Sequence, residues 1–284
     1  MRILVLGASG QLGNAVTRGL SKSEHLKVFG TIRSENLKKY FSKEIAKNLI
    51  SNANVENFDS LLSVFDQIRP DMVINCIGLV KQLDSSGYPL QAIPINSELP
   101  HRLAMISSLV GARLIHISTD CVFSGSRGFY KETDIPDTSD LYGRTKLLGE
   151  VDYPNAITLR TSIIGHELNS SRSLIGWFLS QLGPVKGYRK AIFSGLPTVE
   201  LTCIMRDYVI PNTNLRGLYH VSADPINKYD LLQLVAKEYK HQIDIELDDS
   251  FVIDRSLDST RFRAATGYKP PSWIELVKEM HKFG

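Results

Sequence analysis

The sequence predicts an α/β protein built around a doubly wound parallel sheet. The chain begins with a short apolar run, Met1–Leu6, that leads directly into a glycine-rich turn and a helical pattern. Further apolar runs of similar length then alternate with helical patterns as far as about residue 165. Short apolar runs are typical of strands buried on both faces of a parallel sheet, and each such strand needs a crossover before the next.

Strands and helices are predicted in alternation through this first part. The first helix carries Leu12, Val16 and Leu20 on one face, which is the spacing of an amphipathic helix. The predicted strands are Met1–Leu6, Leu26–Ile32, Asn48–Asn52, Met72–Ile77, Arg113–Ser118 and Ala156–Arg160. The other predicted helices are Ser34–Lys47, Val55–Ile68, Pro100–Val110 and Asp140–Glu150. This order indicates a Rossmann-type sheet.

Beyond Gly165 the alternation is looser, so we place a domain boundary there. A strand at Leu218–Val221 is expected to return to the sheet. The other elements predicted in this part are helices at Ser173–Leu182, Lys228–Tyr239 and Trp273–His281 and a strand at Ile243–Leu247.

The turn after the first strand has the spacing of a phosphate-binding loop. Gly7, Gly10 and Gly13 stand three residues apart between a predicted strand and a predicted helix. In a dinucleotide-binding fold the first glycine permits the tight turn, the second lets a pyrophosphate approach, and the third lets the helix pack on the strand. The N–H groups at the helix start then face the phosphates. The alternative is a tight turn without a ligand.

A second motif lies near the fifth predicted strand. Tyr142 and Lys146 are four residues apart in a predicted helix, so their side chains share one face. A free tyrosine has a pKa near ~10, too high for efficient proton transfer at neutral pH, and a fixed cation beside it lowers that pKa. A nearby hydroxyl could hold a substrate oxygen within reach of the phenol. The alternative is a surface tyrosine that only packs on a lysine stem.

Together the two motifs resemble those of the extended short-chain dehydrogenase/reductase family. The wording is most similar to its dTDP-4-dehydrorhamnose reductase branch at residues 10–13 (GQLG), 118–123 (STDCVF) and 142–150 (YGRTKLLGE). The resemblance covers residues 1–165 well and the rest loosely. It implies an NAD(P)-binding domain at 1–165 and a smaller substrate-binding lobe, mainly 166–284, with elements around 217–240 returning to the sheet.

The resemblance also implies three catalytic residues. Thr119 would bond the substrate oxygen, Tyr142 would donate the proton to the emerging alkoxide, and Lys146 would hold the nicotinamide ribose and lower the tyrosine pKa. Ser118 would pack against the threonine or support it. Asn96 is expected to cap a helix or to anchor its packing.

NADP(H) is the expected cofactor, with NAD(H) as the alternative. An acidic residue after the second strand would bind a ribose hydroxyl and favour NAD, but Arg33 stands there and can meet a 2′-phosphate with two hydrogen bonds. The alternative is that Arg33 is a solvated surface residue. Asn54 stands where the family usually has an aspartate facing the adenine. The cofactor contacts that the resemblance implies are Gly7, Ser9, Gly10, Gln11, Leu12, Arg33, Asn54, Cys76, Ile77, Gly78, Tyr142 and Lys146.

Substrate contacts are expected at Lys81, Thr119, Asp120, Trp177 and Arg261. Lys81 and its neighbour Gln82 follow the fourth strand, where a hexose could sit, although a charged loop residue is more often only solvated. A tryptophan such as Trp177 could stack on a base or sugar, although a helical tryptophan is usually core. Arg172, Arg189 and Arg261 could meet a diphosphate.

The predicted function is NADPH-dependent reduction of a nucleoside-diphosphate 4-keto-6-deoxyhexose to the 4-hydroxy sugar, in nucleotide-sugar and surface polysaccharide biosynthesis. A 4,6-dehydratase of the family has an Asp-Glu pair after the threonine, whereas Cys121 follows Asp120 here. Epimerases usually read Val-Tyr-Gly where this chain has Val122-Phe123-Ser124. Two alternatives stay open: an epimerase or epimerase-reductase on the same substrate class, and a non-catalytic NADP-binding regulatory protein.

Composition fits a globular enzyme. The chain has 284 residues and a net charge of +3, without the basic block that nucleic-acid binding would need. No apolar run approaches the ~20 residues that span a bilayer, and no secretory signal precedes the first strand. Cys76, Cys121 and Cys203 lack metal-ligand spacing, so no metal site is predicted and the expected location is the cytoplasm. A homodimer is the expected assembly because dimers are the commonest oligomers of soluble proteins.

Overall fold

The structure is a computed structural model that describes residues 1–79 and 87–284. Lys81 and Gln82, expected near the substrate, lie outside the described residues. In chain order the strands are β1 (Arg2–Leu6), β2 (Lys27–Thr31), β3 (Leu49–Ile50), β4 (Met72–Asn75), β5 (Arg113–Thr119), β6 (Ala156–Thr161), β7 (Ile163–Ile164), β8 (Val185–Tyr188), β9 (Ala191–Phe193), β10 (Leu196–Pro197), β11 (Gly217–His220), β12 (Ile226–Asn227), β13 (Ile245–Asp248) and β14 (Ile253–Asp254).

The helices connect these strands and cover the sheets. They are α1 (Gln11–Leu20), α2 (Lys43–Ala46), α3 (Phe58–Ile68), α4 (Pro89–Ala92), α5 (Leu99–Leu109), α6 (Leu141–Leu148), α7 (Leu174–Leu179), α8 (Thr198–Ile204), α9 (Lys228–Glu238), α10 (Thr260–Thr266) and α11 (Trp273–Phe283). Short 3₁₀ helices lie at Glu35–Tyr40 and Asp120–Val122, and π-helical turns at Ile93–Glu98 and Met205–Val209.

The central sheet has seven strands in the order β3-β2-β1-β4-β5-β6-β11, and every neighbouring pair is parallel. This confirms the predicted doubly wound sheet. The strand order reverses direction between β1 and β4, and in such sheets the ligand crevice opens at the carboxyl ends of those strands. β11 comes from beyond Gly165, yet it lies beside β6. The boundary at Gly165 stays a prediction.

Both faces of the sheet are buried, as the apolar runs predict. In β1, Ile3 and Val5 join the core under α1 and α8, whereas Leu4 and Leu6 join the core under α3 and α5. The period of two in a strand directs successive side chains to opposite faces. Because all four side chains are fully buried, each stabilises the fold by roughly 1.5–3 kcal/mol.

The C-terminal lobe has a core of its own and is built from very short strands. Ile175, Phe178, Leu231 and Val235 of α7 and α9 form its centre. β9 pairs with β12 on one side and with β14 on the other, while β8 pairs with β13. Most of these strands have only two to four residues, so their pairing leaves little period-two pattern in the sequence.

The predicted helix at Ser34–Lys47 is wrong in its continuity. The segment contains a 3₁₀ helix, an extended residue at Phe41 and the single-turn helix α2. Phe41 is buried against Ile32 and Leu49, which draws the backbone inward. The hydroxyl of Ser42 then accepts a hydrogen bond from the N–H of Ile45 and starts α2.

Candidate active site

The glycine turn is shaped to receive a phosphate group. Gly7 has a φ of +79°, which favours glycine, and its N–H donates to Thr31 Oγ1 at 3.1 Å. A Cβ on Gly13 would lie 2.0 Å from the carbonyl oxygen of Gly7, so only glycine lets α1 pack this closely. Gly10 precedes α1 without a side-chain cap and is exposed, so the first N–H groups of the helix are open to an anion. The turn therefore fits a dinucleotide pyrophosphate.

The tip of β2 carries Arg33 next to this turn. The N–H of Ala8 donates to the carbonyl oxygen of Thr31 at 2.9 Å, which ties β2 to the turn. Arg33 follows two residues later, is exposed, and has no hydrogen bond or ion pair to another described residue. A free guanidinium at this place fits a phosphate on the adenosine ribose.

The other expected cofactor residues differ in their exposure and in their hydrogen bonds. Ile77 packs over Gly7, because a Cβ there would lie 2.8 Å from its Cγ1. Burial raises the pKa of Cys76 to about 12, so this thiol is neutral. Gln11 Nε2 already donates to the carbonyl oxygen of Gly165 at 2.8 Å. Asn54 is exposed, and its Oδ1 accepts a hydrogen bond from the N–H of Glu56 at 3.0 Å.

β5 and α6 bring the three expected catalytic residues together. A Cβ on Gly143 would lie 2.3 Å from the carbonyl oxygen of Cys121, so glycine lets α6 contact the loop after β5. Asp140 begins α6 by accepting a hydrogen bond from the N–H of Gly143 at 2.8 Å. Tyr142 then lies beside Thr119, whose hydroxyl acts on the tyrosine as a hydrogen-bond partner.

The phenol of Tyr142 is kept protonated by its surroundings. Burial raises its pKa above the ordinary value, Cys121 adds to the rise, and the hydroxyl of Thr119 acts in the opposite direction. Burial is the largest influence on this pKa, and the expected lowering by Lys146 stays a prediction. A protonated phenol at neutral pH suits a proton donor, which is the role that a carbonyl reduction requires.

Lys146 is buried and held by the backbone of β5. Its Nζ donates to the carbonyl oxygen of Ile117 at 2.7 Å, and only 5% of the residue is exposed. Burial lowers its pKa to about 8, while Glu150, one turn further along, acts to raise it. A Cβ on Gly78 would lie 4.0 Å from Nζ, so the tip of β4 lies directly over the ammonium group.

A buried ion pair connects the end of α6, the helix that carries Tyr142 and Lys146, to the sheet. Arg160 of β6 donates to both carboxylate oxygens of Glu150, at 2.9 and 2.6 Å. Ser118 Oγ donates to the same carboxylate at 2.6 Å, and its expected support of Thr119 stays a prediction. Arg160 also contacts His220 of β11 at 2.9 Å. Four segments of the chain are thereby joined behind the catalytic residues.

Asn96 is a packing anchor, but it does not begin a helix. It lies inside a π-helical turn and is fully buried. Its Oδ1 accepts from the N–H of Leu79 at 2.8 Å, and its Nδ2 donates to Leu79 O at 3.1 Å and to Thr145 Oγ1 at 3.2 Å. A π-helical turn departs from the α-helical period, so the sequence pattern does not predict on which side this residue lies. Asn96 therefore joins the tip of β4 to the catalytic helix.

Two functional candidates in the C-terminal lobe escaped the sequence reasoning. Arg255 Nη1 contacts Cys121 Sγ at 3.5 Å, and its Nε donates to the carbonyl oxygen of Phe123 at 2.9 Å. Lys228, the first residue of α9, lies close enough to Asp120 for their charges to interact. Neither residue stands in a recognisable motif, so no signal in the sequence marks them.

The other expected substrate residues lie apart from this cluster. Arg261 stacks on the ring of Tyr219 at 4.7 Å, and Arg189 forms an ion pair with Asp249. Trp177 is 38% exposed on α7. None of the three has a described contact with Thr119 or Tyr142, and their roles stay predictions.

The described residues contain neither a membrane-spanning helix nor a cluster of metal ligands. No helix within 1–79 and 87–284 is long and apolar enough to cross a membrane. In the same part of the chain, no group of three or more His, Cys, Asp or Glu side chains could hold a metal ion.

Fold and site together define a class: a dinucleotide-binding α/β protein with a Thr-Tyr-Lys site of the short-chain dehydrogenase/reductase type. Residues 1–282 match the model of the RmlD substrate binding domain family. The chain belongs to this family, which confirms the resemblance noted in the sequence.

Relatives of the chain include proteins with enzyme names and proteins named as a subunit. A protein of Aggregatibacter actinomycetemcomitans called dTDP-4-dehydrorhamnose reductase is 25% identical over 313 aligned positions, which cover 99% of each chain. Methionine adenosyltransferase 2 subunit beta of Bos taurus is 29% identical over 149 positions, covering 52% of this chain and 41% of that one. The crystal structure of dTDP-4-dehydrorhamnose reductase from Bacillus anthracis in complex with NADP has a TM-score of 0.81 at 21% identity, covering 100% of this chain and 98% of that one. This structural similarity shows that the two proteins share a fold.

Proposed function

We propose that the protein reduces a nucleoside-diphosphate 4-keto-6-deoxyhexose to the 4-hydroxy sugar with NADPH, as a step of nucleotide-sugar biosynthesis. The observation that supports this most is a protonated Tyr142 beside the hydroxyl of Thr119, with Lys146 one helical turn away. These residues lie at the carboxyl-terminal edge of the sheet, the same edge at which the glycine turn follows β1. The reductase name of the full-length relative points to the same substrate class.

The residues of the chain divide the work of such a reduction. Thr119 and Tyr142 would both hydrogen-bond the carbonyl oxygen and hold it in place. Tyr142 would release its proton to that oxygen as negative charge develops there. Lys146, buried and cationic, would hold the ribose next to the nicotinamide and stabilise the phenolate that remains. NADPH, when bound, supplies the hydride.

NADPH is the cofactor that the crevice favours. The exposed Arg33 at the tip of β2 supports a contact with the 2′-phosphate, since a bidentate guanidinium–phosphate pair is strong. The structure neighbour from Bacillus anthracis was solved with NADP. NAD(H) would lack the group that Arg33 recognises.

The loop after Thr119 supports reduction over dehydration. Elimination of water needs a second acid or base beside Asp120, and Cys121 occupies the next position. Burial raises the pKa of Cys121 to about 12, so its thiol is neutral and cannot replace a carboxylate. The groups present therefore support reduction over elimination of water.

A non-catalytic role is the second candidate, because several relatives are named as the beta subunit of methionine adenosyltransferase 2. A binding protein would not need the reacting hydroxyls, yet Thr119, Tyr142 and Lys146 are all present and assembled. The presence of all three residues supports an enzymatic function over a non-catalytic one.

The test is NADPH oxidation, followed at the nicotinamide absorbance band, with nucleotide-linked 4-keto-6-deoxy sugars made in situ by a 4,6-dehydratase. Consumption with one of them, lost in Tyr142→Phe but kept in the control Tyr153→Phe, would establish the reductase. Tyr153 hydrogen-bonds His101 at the surface and touches no catalytic residue. NADPH binding without consumption of any sugar would contradict the proposal and favour the epimerase or the regulatory protein.

A homodimer and a cytoplasmic location belong to the same proposal. Met105 and Leu109 expose 64% and 85% of their surface on α5, and such apolar side chains favour a contact with a second copy. The three cysteines are free, as in a reducing compartment. Light scattering of the purified protein would test the assembly, and a monomer at all concentrations would contradict it.

A further inference from the structure

His220, the last residue of β11, is fully buried behind the catalytic residues. Its Nδ1 lies 2.9 Å from the carbonyl oxygen of Tyr130, and its Nε2 lies 2.9 Å from Nη1 of Arg160. A carbonyl oxygen only accepts hydrogen bonds, and a guanidinium group only donates them. These two partners therefore fix one tautomer of the ring, in which Nδ1 carries the proton and Nε2 accepts a hydrogen bond.

The ring of His220 is also neutral and held at its strand. Burial and the neighbouring charge of Arg160 lower its pKa to about 3. A proton on Nε2 would remove the lone pair that accepts from the guanidinium group and would place two cations side by side. The backbone N–H of the histidine donates to Glu132 Oε1 at 2.8 Å, which holds the strand end in place. At neutral pH the ring is therefore a fixed acceptor for Arg160.

Arg160 connects this acceptor to both catalytic elements. Its Nε and Nη2 donate to the carboxylate of Glu150, just after α6, at 2.9 and 2.6 Å. The same carboxylate accepts a hydrogen bond from Ser118 Oγ at 2.6 Å, and Ser118 directly precedes Thr119 in β5. The guanidinium group also lies 5.0 Å from the ring centre of Phe123, in the loop after β5. It thus holds the chain on both sides of the catalytic threonine.

The loop after β5 packs around the same histidine. Phe123 is fully buried, stacks on the ring of Tyr130 with centroids 4.1 Å apart, and meets the edge of the His220 ring at 5.9 Å. Tyr130 is also the residue whose carbonyl oxygen accepts from this histidine, so the loop is held by its backbone and by its rings. The carbonyl oxygen of Cys121 in this loop lies against Gly143, the residue after the catalytic tyrosine. A shift of the loop would therefore reach both catalytic elements.

We propose that His220 is a positioning residue for the reaction: by orienting Arg160, it sets the separation between the catalytic hydroxyl and the catalytic phenol. This inference rests on the proposed function. The hydroxyl of Thr119 and the phenol of Tyr142 must hold one carbonyl oxygen between them, and such hydrogen bonds span only about 2.6–3.2 Å. Glu150 holds one edge of the guanidinium group and the histidine holds another, so loss of the histidine would leave the group free to shift. A misplacement of about 1 Å caused at a distance from the chemistry can cost about 100-fold in rate.

Two substitutions separate the two hydrogen bonds of the ring. In His220→Gln the side-chain oxygen can take the place of Nε2 and accept from Arg160, whereas the bond to Tyr130 is lost. In His220→Asn the side-chain amide can take the place of Nδ1 and donate to Tyr130, whereas Arg160 loses its acceptor. Both new side chains are neutral and polar, so the two variants differ mainly in which bond they keep.

The first measurement is steady-state kinetics with NADPH and the nucleotide-linked 4-keto-6-deoxy sugar that gives the highest turnover. In His220→Asn, kcat should fall about 10- to 100-fold while KM and the Kd of NADPH stay within about 3-fold, because binding groups are untouched and only the reacting geometry changes. In His220→Gln, kcat should stay within about 3-fold of the wild type, because Arg160 keeps its acceptor. His25→Asn, an exposed histidine before β2, is the control and should change nothing.

A second measurement needs no turnover. Fluorine NMR of protein that carries meta-fluorotyrosine in place of Tyr142 alone reports the surroundings of the phenol. The resonance should move in His220→Asn and stay in place in His220→Gln. Thermal unfolding of each variant shows that the comparison is made on folded protein.

The outcomes separate this inference from the proposed function. A fluorine resonance that moves only in His220→Asn, in a protein that reduces none of the sugars, would support the positioning role and contradict the reductase. Turnover with equal losses of kcat in both variants, or with no loss in either, would overturn the positioning role and leave the reductase standing. The nitrogen resonances of His220 in the wild type add a test that needs no variant: a proton on Nε2 would leave no acceptor for Arg160 and would overturn the inference.

Discussion

The two walls of the active site are built in different ways. One wall, β5 with α6, carries Thr119 on a seven-residue strand and Tyr142 on a helix whose Lys146 donates a hydrogen bond to the carbonyl oxygen of Ile117 in that strand. The other wall, in the C-terminal lobe, carries Lys228 and Arg255 at the ends of two-residue strands. The first wall is anchored in the central sheet, and the second depends on local pairing and on its contact with the loop after β5.

This difference assigns proton transfer to the first wall and recognition of the sugar to the second. Proton transfer needs hydrogen-bond geometry, and rigid elements hold reacting groups more closely than loops do. Recognition of one sugar among several needs groups that can be exchanged without disturbing the sheet, and short peripheral segments allow that. We therefore expect substitutions in the first wall to affect kcat or stability, and those in the second to affect sugar binding.

The largest effect is expected at Tyr142. Tyr142→Phe keeps the ring and its packing but removes the proton donor, so kcat should fall by about 10²- to 10⁴-fold. NADPH affinity, measured by fluorescence titration, should stay within about 2-fold. If kcat is retained, the proton comes from another group and the first wall is not the chemical one.

The next largest effect is expected at Glu150, and it concerns stability. Glu150→Gln leaves Arg160 buried without its anionic partner, and breaking such a pair costs about 3–5 kcal/mol in the free energy of unfolding. Urea unfolding measures the change. Lys186→Met, which removes an ion pair to Asp248 with a 61% exposed lysine, is the control and should cost less than about 1 kcal/mol. Equal losses would mean that the first wall is no better anchored than the lobe.

A smaller effect, confined to the cofactor, is expected at Arg33. Arg33→Ala should weaken NADPH about 10- to 100-fold and leave NADH nearly unchanged, because only NADPH carries the 2′-phosphate. Kd values for both cofactors measure it, and Arg69→Ala, an exposed arginine after α3, is the control. Parallel losses for both cofactors would show that Arg33 does not contact the phosphate.

The smallest effect is a pH dependence carried by Lys146. Its pKa in the folded protein is about 8, below the ordinary value of 10.5, so the lysine is charged below pH 8 and loses its proton above it. We expect kcat/KM to fall as pH rises through about 8. Because the unfolded chain binds more protons between these values, the contribution of Lys146 to stability should rise with pH over the same range.

Lys146→Arg provides the control for this profile. Arginine stays protonated throughout, so the fall of kcat/KM above pH 8 should disappear even if the maximal rate is lower. A fall that persists in this variant would assign the titration to another group.

The first wall could largely be predicted, and the second could not. The glycine turn, the Tyr142–Lys146 pair and Thr119 are close in sequence to the elements that position them, so local spacing reveals them. Asn96 was expected to cap or anchor a helix, and only its anchoring role is present, because a π-helical turn carries it inward. Gln11 was expected at the cofactor, but its side chain bonds Gly165 across the sheet.

By itself the sequence determined the alternation of strands and helices, the phosphate-binding turn and the catalytic helix, because these depend on periods of two and about four residues and on glycine conformations. Tertiary structure alone decided that Glu150 meets Arg160, and that Lys228 and Arg255 approach Asp120. The first contact depends on how the end of α6 packs on β6, and the others come from residues that follow strands of two residues, which are too short to leave a periodic pattern. Burial in the assembled protein also decided the protonation of Tyr142, since a neighbouring lysine predicts a lower pKa and desolvation raises it.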